Sequence, residues 1–169
     1  MEIIQKDIAV MAKRLVIANK EDIAELLRLR IAYIVDDYGS ITESDRLTME
    51  EQLPCYFERK LGKELVVFVA RTEGRLVATA YLLIIEKPAN PSMVNGLVGE
   101  VFSVFTEREY RGIGISTRLM KDMIAYARKK SLCYIDLKAT DEGYSVYKKL
   151  GFIDKSHKYR DMRLTFELH

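Results

Sequence analysis

The spacing of apolar residues along the chain predicts where its helices and strands lie. A first short strand covers 15–18, and two helical patterns follow it. The first helix starts after Asn19, a residue type that caps helices well, and is closed by the segment 36–40, which contains Gly39. The second covers about 47–61, and we expect Pro54 to kink or split it because proline lacks a backbone N–H. The predicted buried face of the first helix consists of Ile23, Leu27, Ile31 and Ile34.

The pattern then changes to that of strands. Runs at 64–71 and 75–86 are rich in β-branched residues and flank a tight turn at 72–74, which is typical of a hairpin. Further strands are predicted at 98–106 and 133–139. The remaining predicted elements are helices at 112–130 and 144–150 and a final strand at 161–168.

The predicted order of elements is β-α-α-β-β-β-α-β-α-β, without an internal repeat or a linker. We therefore expect an α/β (α+β) fold in which helices flank a mixed, mainly antiparallel central sheet. The strand at 98–106, the helix at 112–130 and the strand at 133–139 should form a right-handed parallel crossover. The buried stripe of that helix is predicted to be Ile115, Leu119, Met123 and Ala127.

The length of 169 residues suits one domain. We predict a single domain over 14–169, preceded by an N-terminal extension at 1–13. Ile4, Ile8 and Met11 have helical spacing, so a short leading helix is one interpretation of the extension. The other is that Met11 is the natural start and that the first ten residues lie upstream of it.

Composition and charge exclude several classes of function. The net charge of +2, from 27 basic and 25 acidic residues, is too balanced for a protein devoted to nucleic acid. No apolar run approaches the ~20 residues that a membrane span needs. Cys55, Cys133, His157 and His169 lack metal-ligand spacing, so we expect no metal, no disulfide framework and two cysteines in the core. These features predict a cytoplasmic protein without nucleic acid or membrane partners.

A local basic cluster coincides with a glycine-containing turn at the start of the helix predicted at 112–130. The first backbone N–H groups of a helix have no partner inside it, and with the helix dipole they favour an anion. Gly112 and Gly114 have no Cβ, so a phosphate can approach the backbone closely. The basic residues are Arg108, Arg111, Arg118 and Lys121. The turn predicts a phosphorylated ligand, although it matches neither a Walker loop nor a dinucleotide fingerprint.

Two segments of the chain resemble the signatures of one family. Arg111-Gly-Ile-Gly114-Ile-Ser116 resembles the acetyl-CoA signature Arg/Gln-x-x-Gly-x-Gly/Ala of the GNAT superfamily of N-acyltransferases. The second segment, 139–152, is similar to a region of that family in which a tyrosine, here Tyr147, precedes Gly-Phe by four residues. The order of elements matches as well, so the resemblance covers about 14–168.

The sequence departs from the family pattern at two positions. Ser116 stands where glycine or alanine is usual, and Thr140 stands where asparagine is frequent. Serine is small enough to lie beside a phosphate, so the first departure is minor. The second affects the contacts expected for the pantetheine arm, but it does not affect the expected fold.

The resemblance implies that 14–169 is an N-acetyltransferase domain. It would transfer the acetyl group of acetyl-CoA to a primary amine of a small molecule, peptide or protein, by direct attack in a ternary complex. Val104 would be a backbone contact of the pantetheine arm, and a backbone donor of the same strand would stabilise the oxyanion. The pyrophosphate would be held by the backbone of Arg111, Gly112, Ile113, Gly114, Ile115 and Ser116.

Two side chains are candidates for proton transfer. An amine with a pKa of ~10.4 is almost wholly protonated at neutral pH, so a base helps to free it. We predict Glu100, on the strand at 98–106, as this base, directly or through water. The leaving thiolate needs a proton, and the phenol of Tyr147, a group of comparable basicity with a pKa of ~10, is our candidate donor; its alternative role is aromatic packing of the last helix. The resemblance places the acceptor at the first two helices and the loop that joins them. The acidic residues of this region predict an entrance that favours a cationic acceptor: Asp36, Asp37, Glu43, Asp45, Glu50 and Glu51.

Two other functions fit the same residues. A non-catalytic acyl-CoA-binding sensor or adaptor would keep the fold without the chemistry. A phosphate-binding domain of another kind, such as a nucleotide sensor, would use the same helix terminus. Many GNAT proteins pair, so the resemblance also allows a homodimer that joins through the final strand at 161–168.

Overall fold

The computed structural model describes residues 16–155, 160 and 162–166. The chain divides into two compact units, and the division falls between Lys138 and Ala139 in the sequence. The helices and strands of the first unit are α1 (Ile23–Tyr38), α2 (Glu43–Lys60), β1 (Leu65–Thr72), β2 (Arg75–Glu86), β3 (Leu97–Thr106), α3 (Ile115–Lys129) and β4 (Ile135–Leu137). The second unit contains α4 (Asp141–Lys149). The single domain over 14–169 stays a prediction, and the leading helix predicted at 1–13 lies outside the described residues.

The four strands form one sheet in the order β1-β2-β3-β4. β2 is antiparallel to β1 and β3, whereas β4 runs parallel to β3, so the mixed, mainly antiparallel sheet is confirmed. The predicted hairpin is present, because Thr72 pairs with Arg75 across a two-residue turn. Glu73 and Gly74 both have positive φ, at 49° and 82°, as the type I′ turn favoured in hairpins requires.

Helices cover both faces of the sheet. Phe68 of β1 packs edge-on against Tyr126 of α3, with ring centres 5.6 Å apart. The adjacent Val67 pairs with Tyr81 of β2, whose ring lies 6.2 Å from that of Phe57 in α2. Because successive strand residues point to opposite faces, α3 covers one face and α2 covers the other.

The stripe predicted for α3 is confirmed, since Ile115, Leu119, Met123 and Ala127 are all buried. The face predicted for α1 is only partly correct. Ile31 is buried, but the largest burial in α1 falls on Leu26 and Leu29, which join the core cluster with Phe57 and Tyr81. α1 packs on two sides, against α2 and against the sheet, so its buried face is broader than one i, i+4 row.

α2 begins earlier than predicted and continues through Pro54, so the helix is not split. Its start is set by Thr42 and Asp45. The Thr42 Oγ1 accepts a 3.1 Å hydrogen bond from Asp45 N, and the Asp45 carboxylate accepts one of 3.3 Å from Thr42 N. This reciprocal cap satisfies two backbone donors at the helix start and fixes it there.

The two outermost predicted strands differ from the structure. At 15–18 the described residues contribute one bridge, from Ile17 to Phe68, because only Val16 and Ala18 exchange backbone hydrogen bonds with β1. At 161–168, residues 162–166 form no strand, and 161, 167 and 168 lie outside the described residues. Strand structure requires a neighbouring strand to supply a hydrogen-bonded ladder, and residues 162–166 have none in the described part of the chain.

In the described part of the chain, no helix combines the length and the apolar character that a membrane span requires. The expectation that both cysteines lie in the core was wrong. Cys55 is exposed on α2, and Cys133 is partly exposed, where its thiol lies 2.8 Å from the Asn95 side chain. The apolar spacing of α2 places Phe57 on its buried side, so Cys55, two residues earlier, faces outward.

Candidate active site

The turn between β3 and α3 has the geometry of an anion site. Gly112 and Gly114 have φ values of 78° and 84°, and the space that a Cβ would occupy is open at both. Gly114 caps α3, and its carbonyl accepts the first helical hydrogen bond, a 3.0 Å bond from Arg118 N. The N–H groups from Gly114 to the end of the first helical turn therefore have no partner inside α3. These donors and the helix dipole would attract an anion.

The basic cluster around this turn is largely neutralised by carboxylates. Asp36, near the end of α1, accepts a 2.7 Å hydrogen bond from Arg111 and one of 3.0 Å from Arg108. These bonds, that of Arg111 first, lower the pKa of Asp36. Arg118 pairs with Asp122 at 3.2 Å, and only Lys121 of the four lacks an ion pair among the described residues. An anion at this turn would therefore be attracted mainly by the backbone of the turn rather than by the arginine side chains.

β3 contains a bulge close to this turn. Tyr81 of β2 pairs with Phe102, but Thr79 pairs with Phe105, so β3 carries one extra residue between the two pairs. Ser103 adopts a positive φ of 47° at this point. A left-handed backbone at a non-glycine residue is uncommon, and such strain is often found at functional sites.

The edge of β3 beyond the bulge has no partner in β4. The parallel pairing of the two strands runs only from Gly99 and Ile135 to Val101 and Leu137, where β4 ends. β3 continues to Thr106, so the residues from 102 to 106 form an edge that β4 does not cover. Val104, the predicted pantetheine contact, lies on this edge directly after Ser103. An extended amide-containing chain could bind there as an additional strand.

The candidate base lies in a pair of carboxylates that sequence reasoning missed. Glu100 is exposed on β3 and pairs in register with Asp136 of β4. Residues opposite one another share a face of the sheet, so the two carboxylates lie side by side. Glu100 also shares its face with Phe102, two residues along, which packs on Tyr81 toward α2. The position of Asp136 between Ile135 and Leu137 is the sequence signal that could have identified it.

A second feature that the sequence did not indicate is the position of Arg30. This α1 residue is half-buried, and its guanidinium donates a hydrogen bond to the Ser103 hydroxyl at the bulge. Its guanidinium carbon lies 5.4 Å from the ring centre of Tyr33 and 5.8 Å from that of Phe102. No carboxylate pairs with Arg30 in the described part of the chain. In the sequence, the position of Arg30 could have been suspected only because a charged residue stands between Leu29 and Ile31, two apolar residues that are buried.

The phenol groups near Arg30 respond to burial and to its charge. Burial raises the pKa of Tyr33 and of Tyr81, and the positive charge of Arg30 opposes the rise at both. Tyr81 is 1% exposed, and its hydroxyl has no hydrogen-bond partner among the described residues. Arg30 is therefore surrounded by aromatic rings on the face of the sheet that also carries Glu100.

Tyr147, the candidate acid, belongs to the second unit. It lies on α4, which begins after Thr140, whose hydroxyl accepts a 3.2 Å hydrogen bond from Gly143 N. The Tyr147 ring is half-buried and packs edge-on against Phe152, with ring centres 5.8 Å apart. Its backbone carbonyl accepts a 3.0 Å hydrogen bond from Phe152 N, which fixes the turn after the helix.

The comparison with known families agrees with this geometry. Residues 31–152 match the acetyltransferase (GNAT) family, and this range is more than half of the chain. The chain belongs to the GNAT family. It is accordingly an N-acetyltransferase, and a nucleotide-sensing domain of another kind is no longer a candidate. The enzymatic nature of this family also argues against the alternative of a non-catalytic binding module.

Individual relatives support this assignment. The chain is 30% identical over 129 residues to the glucosamine 6-phosphate N-acetyltransferase of Trypanosoma brucei brucei, covering 75% of this chain and 82% of that protein. Over 122 residues it is 30% identical to glucosamine 6-phosphate N-acetyltransferase 1 of Oryza sativa subsp. japonica, covering 70% and 72% of the two chains. A predicted acetyltransferase from Clostridium acetobutylicum, crystallised with acetyl-CoA, matches with a TM-score of 0.77 and 28% identity over 89% of this chain and 95% of that one.

Proposed function

We propose that this GNAT protein acetylates a primary amine of a small molecule, by direct attack of the amine on acetyl-CoA in a ternary complex. The observation that carries the proposal is the uncovered edge of β3, which leads directly into the open glycine turn of α3. A donor-rich turn and an adjacent strand edge suit a ligand with a phosphorylated end and an extended amide-containing arm. Coenzyme A has both features.

The phosphates would bind the backbone of the turn from Arg111 to Ser116. Gly112 and Gly114 leave open the space in which side chains would obstruct a phosphate. Arg111 is held in place by a 2.8 Å hydrogen bond to Thr106 O and by its ion pair with Asp36. We therefore assign it the role of fixing the turn as well as contributing positive charge.

The pantetheine arm would lie along the edge of β3, with Val104 as a backbone contact. This places the thioester beside the bulge at Ser103. A backbone N–H of β3 would stabilise the oxyanion that forms when the amine attacks the carbonyl carbon. As the intermediate collapses, the C–S bond breaks and the coenzyme leaves as a thiolate.

Glu100 would accept a proton from the ammonium, directly or through water, so that the neutral amine can attack, and Tyr147 would protonate the leaving thiolate. Asp136, which pairs in register with Glu100, would place a second carboxylate on the same face of the sheet. The nitrogen loses two protons between the ammonium and the amide: Glu100 takes the first and passes it to solvent, and the second replaces the proton that Tyr147 gives to the sulfur. No step requires a metal.

The acceptor is proposed from the relatives, two of which are named glucosamine 6-phosphate N-acetyltransferases. The acidic residues expected to form an entrance favour a cationic acceptor less than their number suggested, because several of them already have partners. Asp36 is paired with two arginines, Asp45 caps α2, and Glu50 lies 3.8 Å from Arg46. We therefore take glucosamine 6-phosphate as the first acceptor to test. A cytoplasmic location and a homodimer remain predictions.

The test is an acetyl-transfer assay with acetyl-CoA and glucosamine 6-phosphate. Thiol release measures turnover, and mass spectrometry of the acceptor must show the added acetyl group. A panel of other amines, including polyamines and a lysine peptide, shows whether the protein acetylates an amine even if glucosamine 6-phosphate is not its acceptor. If no amine stimulates thiol release while acetyl-CoA binds, the proposed function is wrong.

A further inference from the structure

We propose that Arg30 binds an anionic group of the acceptor, a phosphate or a carboxylate, so that the enzyme selects amines that carry a negative charge. This inference rests on the proposed function, because it concerns the acceptor of the same reaction. The subsite consists of Arg30, Tyr33, Tyr56 and Ser103. These residues lie in the first unit, between α1, α2 and the bulge of β3.

Arg30 differs from the half-buried Arg28 and Arg71, because each of those two is paired with a carboxylate. Arg28, two residues earlier, pairs with Glu25 at 2.9 Å and with Glu107 at 2.6 Å. Arg71 pairs with Asp22 at 2.5 Å. Arg30 has a similar degree of burial but only a hydroxyl and two aromatic faces as partners in the described part of the chain. Removing a cation from water without an opposite charge is costly, and a bound anion would offset that cost.

The surroundings of Arg30 supply further donors for an anion. Tyr33 and Tyr56 are partly exposed, and the positive charge of Arg30 acts to lower the pKa of each phenol. A guanidinium can bind two oxygens of a phosphate or carboxylate at once, and phenol hydroxyls can donate to a third. Aromatic faces on Arg30 orient the guanidinium and leave its edge for a planar, bidentate contact.

The subsite lies close to the proposed reaction centre. The Ser103 hydroxyl that Arg30 contacts belongs to the bulge of β3, beside which we place the thioester. Glu100 lies on the same face of the sheet as Phe102, which the guanidinium also contacts. An acceptor held at Arg30 by its anionic group would therefore present an amine to the edge of β3 within the length of a small molecule.

The test compares matched acceptors that differ only in charge. Glucosamine 6-phosphate and glucosamine form one arm, and an amino acid and its amide form the other. We expect the wild-type kcat/KM to be higher for the anionic member of one arm, and the arm that responds identifies phosphate or carboxylate. Arg30→Met should reduce this preference about 10–100-fold, the value expected for hydrogen bonds to a charged group. Arg30→Lys should restore part of it.

Arg46→Met is the matched control, because it removes one positive charge from an exposed pair on α2. It should leave the preference unchanged. Calorimetry of glucosamine 6-phosphate with each variant, in the presence of coenzyme A, tests the subsite without turnover, and acetyl-CoA binding reports folding. If Arg30→Met lowers kcat/KM equally for charged and neutral acceptors, Arg30 only supports the bulge and the inference is wrong. Turnover of neutral amines alone would overturn the inference and leave the proposed function intact.

Discussion

The ring of Tyr147 lies so close to Gly143, one helical turn earlier in α4, that a Cβ at 143 would be 2.9 Å from its Cε2 atom. That distance is shorter than ordinary van der Waals contact, so only glycine leaves the ring where it is. Glycine inside a helix costs about 1 kcal/mol relative to alanine. α4 therefore accepts a less stable residue at 143, and the position of the candidate acid depends on it.

Gly143→Ala should lower kcat while leaving the helix intact. The added methyl group displaces the Tyr147 ring, and displacement of a reacting group by about 1 Å can cost on the order of 100-fold in rate. Circular dichroism should show no loss of helix, because alanine is the better helix former. Ser145→Ala is the control, since it changes an exposed position of the same helix. Equal kcat values for the two variants would show that the ring has room to adjust.

Tyr147→Phe should lower kcat with little change in acetyl-CoA binding. Phenylalanine keeps the packing on Phe152 but cannot donate a proton to the thiolate, and general acids contribute about 100- to 10,000-fold to rates. Tyr144→Phe removes a phenol from the same helix, one that lies 2.9 Å from Asp154, and should keep its activity. An unchanged kcat in Tyr147→Phe would exclude the acid role.

Gly114→Val should weaken acetyl-CoA binding at least 10-fold. The variant strains a backbone at φ 84° and fills the space left open for a phosphate. Gly74→Val is closely matched, because Gly74 has φ 82° and equally open surroundings but lies in the hairpin turn. Calorimetric titration of both separates ligand binding from backbone strain. A similar loss of affinity in the two would mean that the effect is one of folding.

Local patterns were sufficient to predict much of the fold and part of the site. The hairpin at 72–75 and the buried stripe of α3 depend on turn residues and on spacing within one helix, and both were located correctly. The glycine turn was also visible, because its positive φ values depend on residues close in sequence. The strand predicted at 15–18 is only a single bridge in the structure. The number of backbone hydrogen bonds that it forms depends on the neighbouring strand β1, and not on the apolar residues at 15–18 alone.

The parts that were missed depend on residues far apart in the chain. Arg30 reaches Ser103 across 73 positions, and Asp36 reaches Arg111 across 75. The bulge in β3 exists only relative to the register of β2, and Asp136 meets Glu100 only through the parallel pairing of β4. No spacing within one element encodes these contacts. The acidic entrance was overestimated partly for the same reason, because the partners of Asp36 are Arg108 and Arg111, 72 and 75 positions away in the chain.

The attachment of α1 to the sheet should depend on pH through Glu25. Its carboxylate accepts two 2.9 Å hydrogen bonds from Arg28 and one of 3.1 Å from Leu76 N, the backbone of β2. The bond from Arg28 is the main reason that the pKa of Glu25 is lowered. A carboxyl group whose pKa is lower in the folded state stabilises the fold above its unfolded pKa of ~4.3, and the contribution disappears as the pH falls through the folded value.

Glu25→Gln should therefore lower the free energy of unfolding by about 1–2 kcal/mol at pH 7, since it removes charge-assisted hydrogen bonds to a half-exposed group. The gap between wild type and variant should shrink as the pH falls below the unfolded pKa of ~4.3 and through the lower folded pKa of Glu25. Urea unfolding at pH 7 and at a series of acidic values measures this. Glu64→Gln is the control, because Glu64 also has a lowered pKa through Lys60 but is exposed, so its loss should have little effect. A gap for Glu25→Gln that does not change with pH would mean that side-chain shape, and not charge, holds α1 to β2.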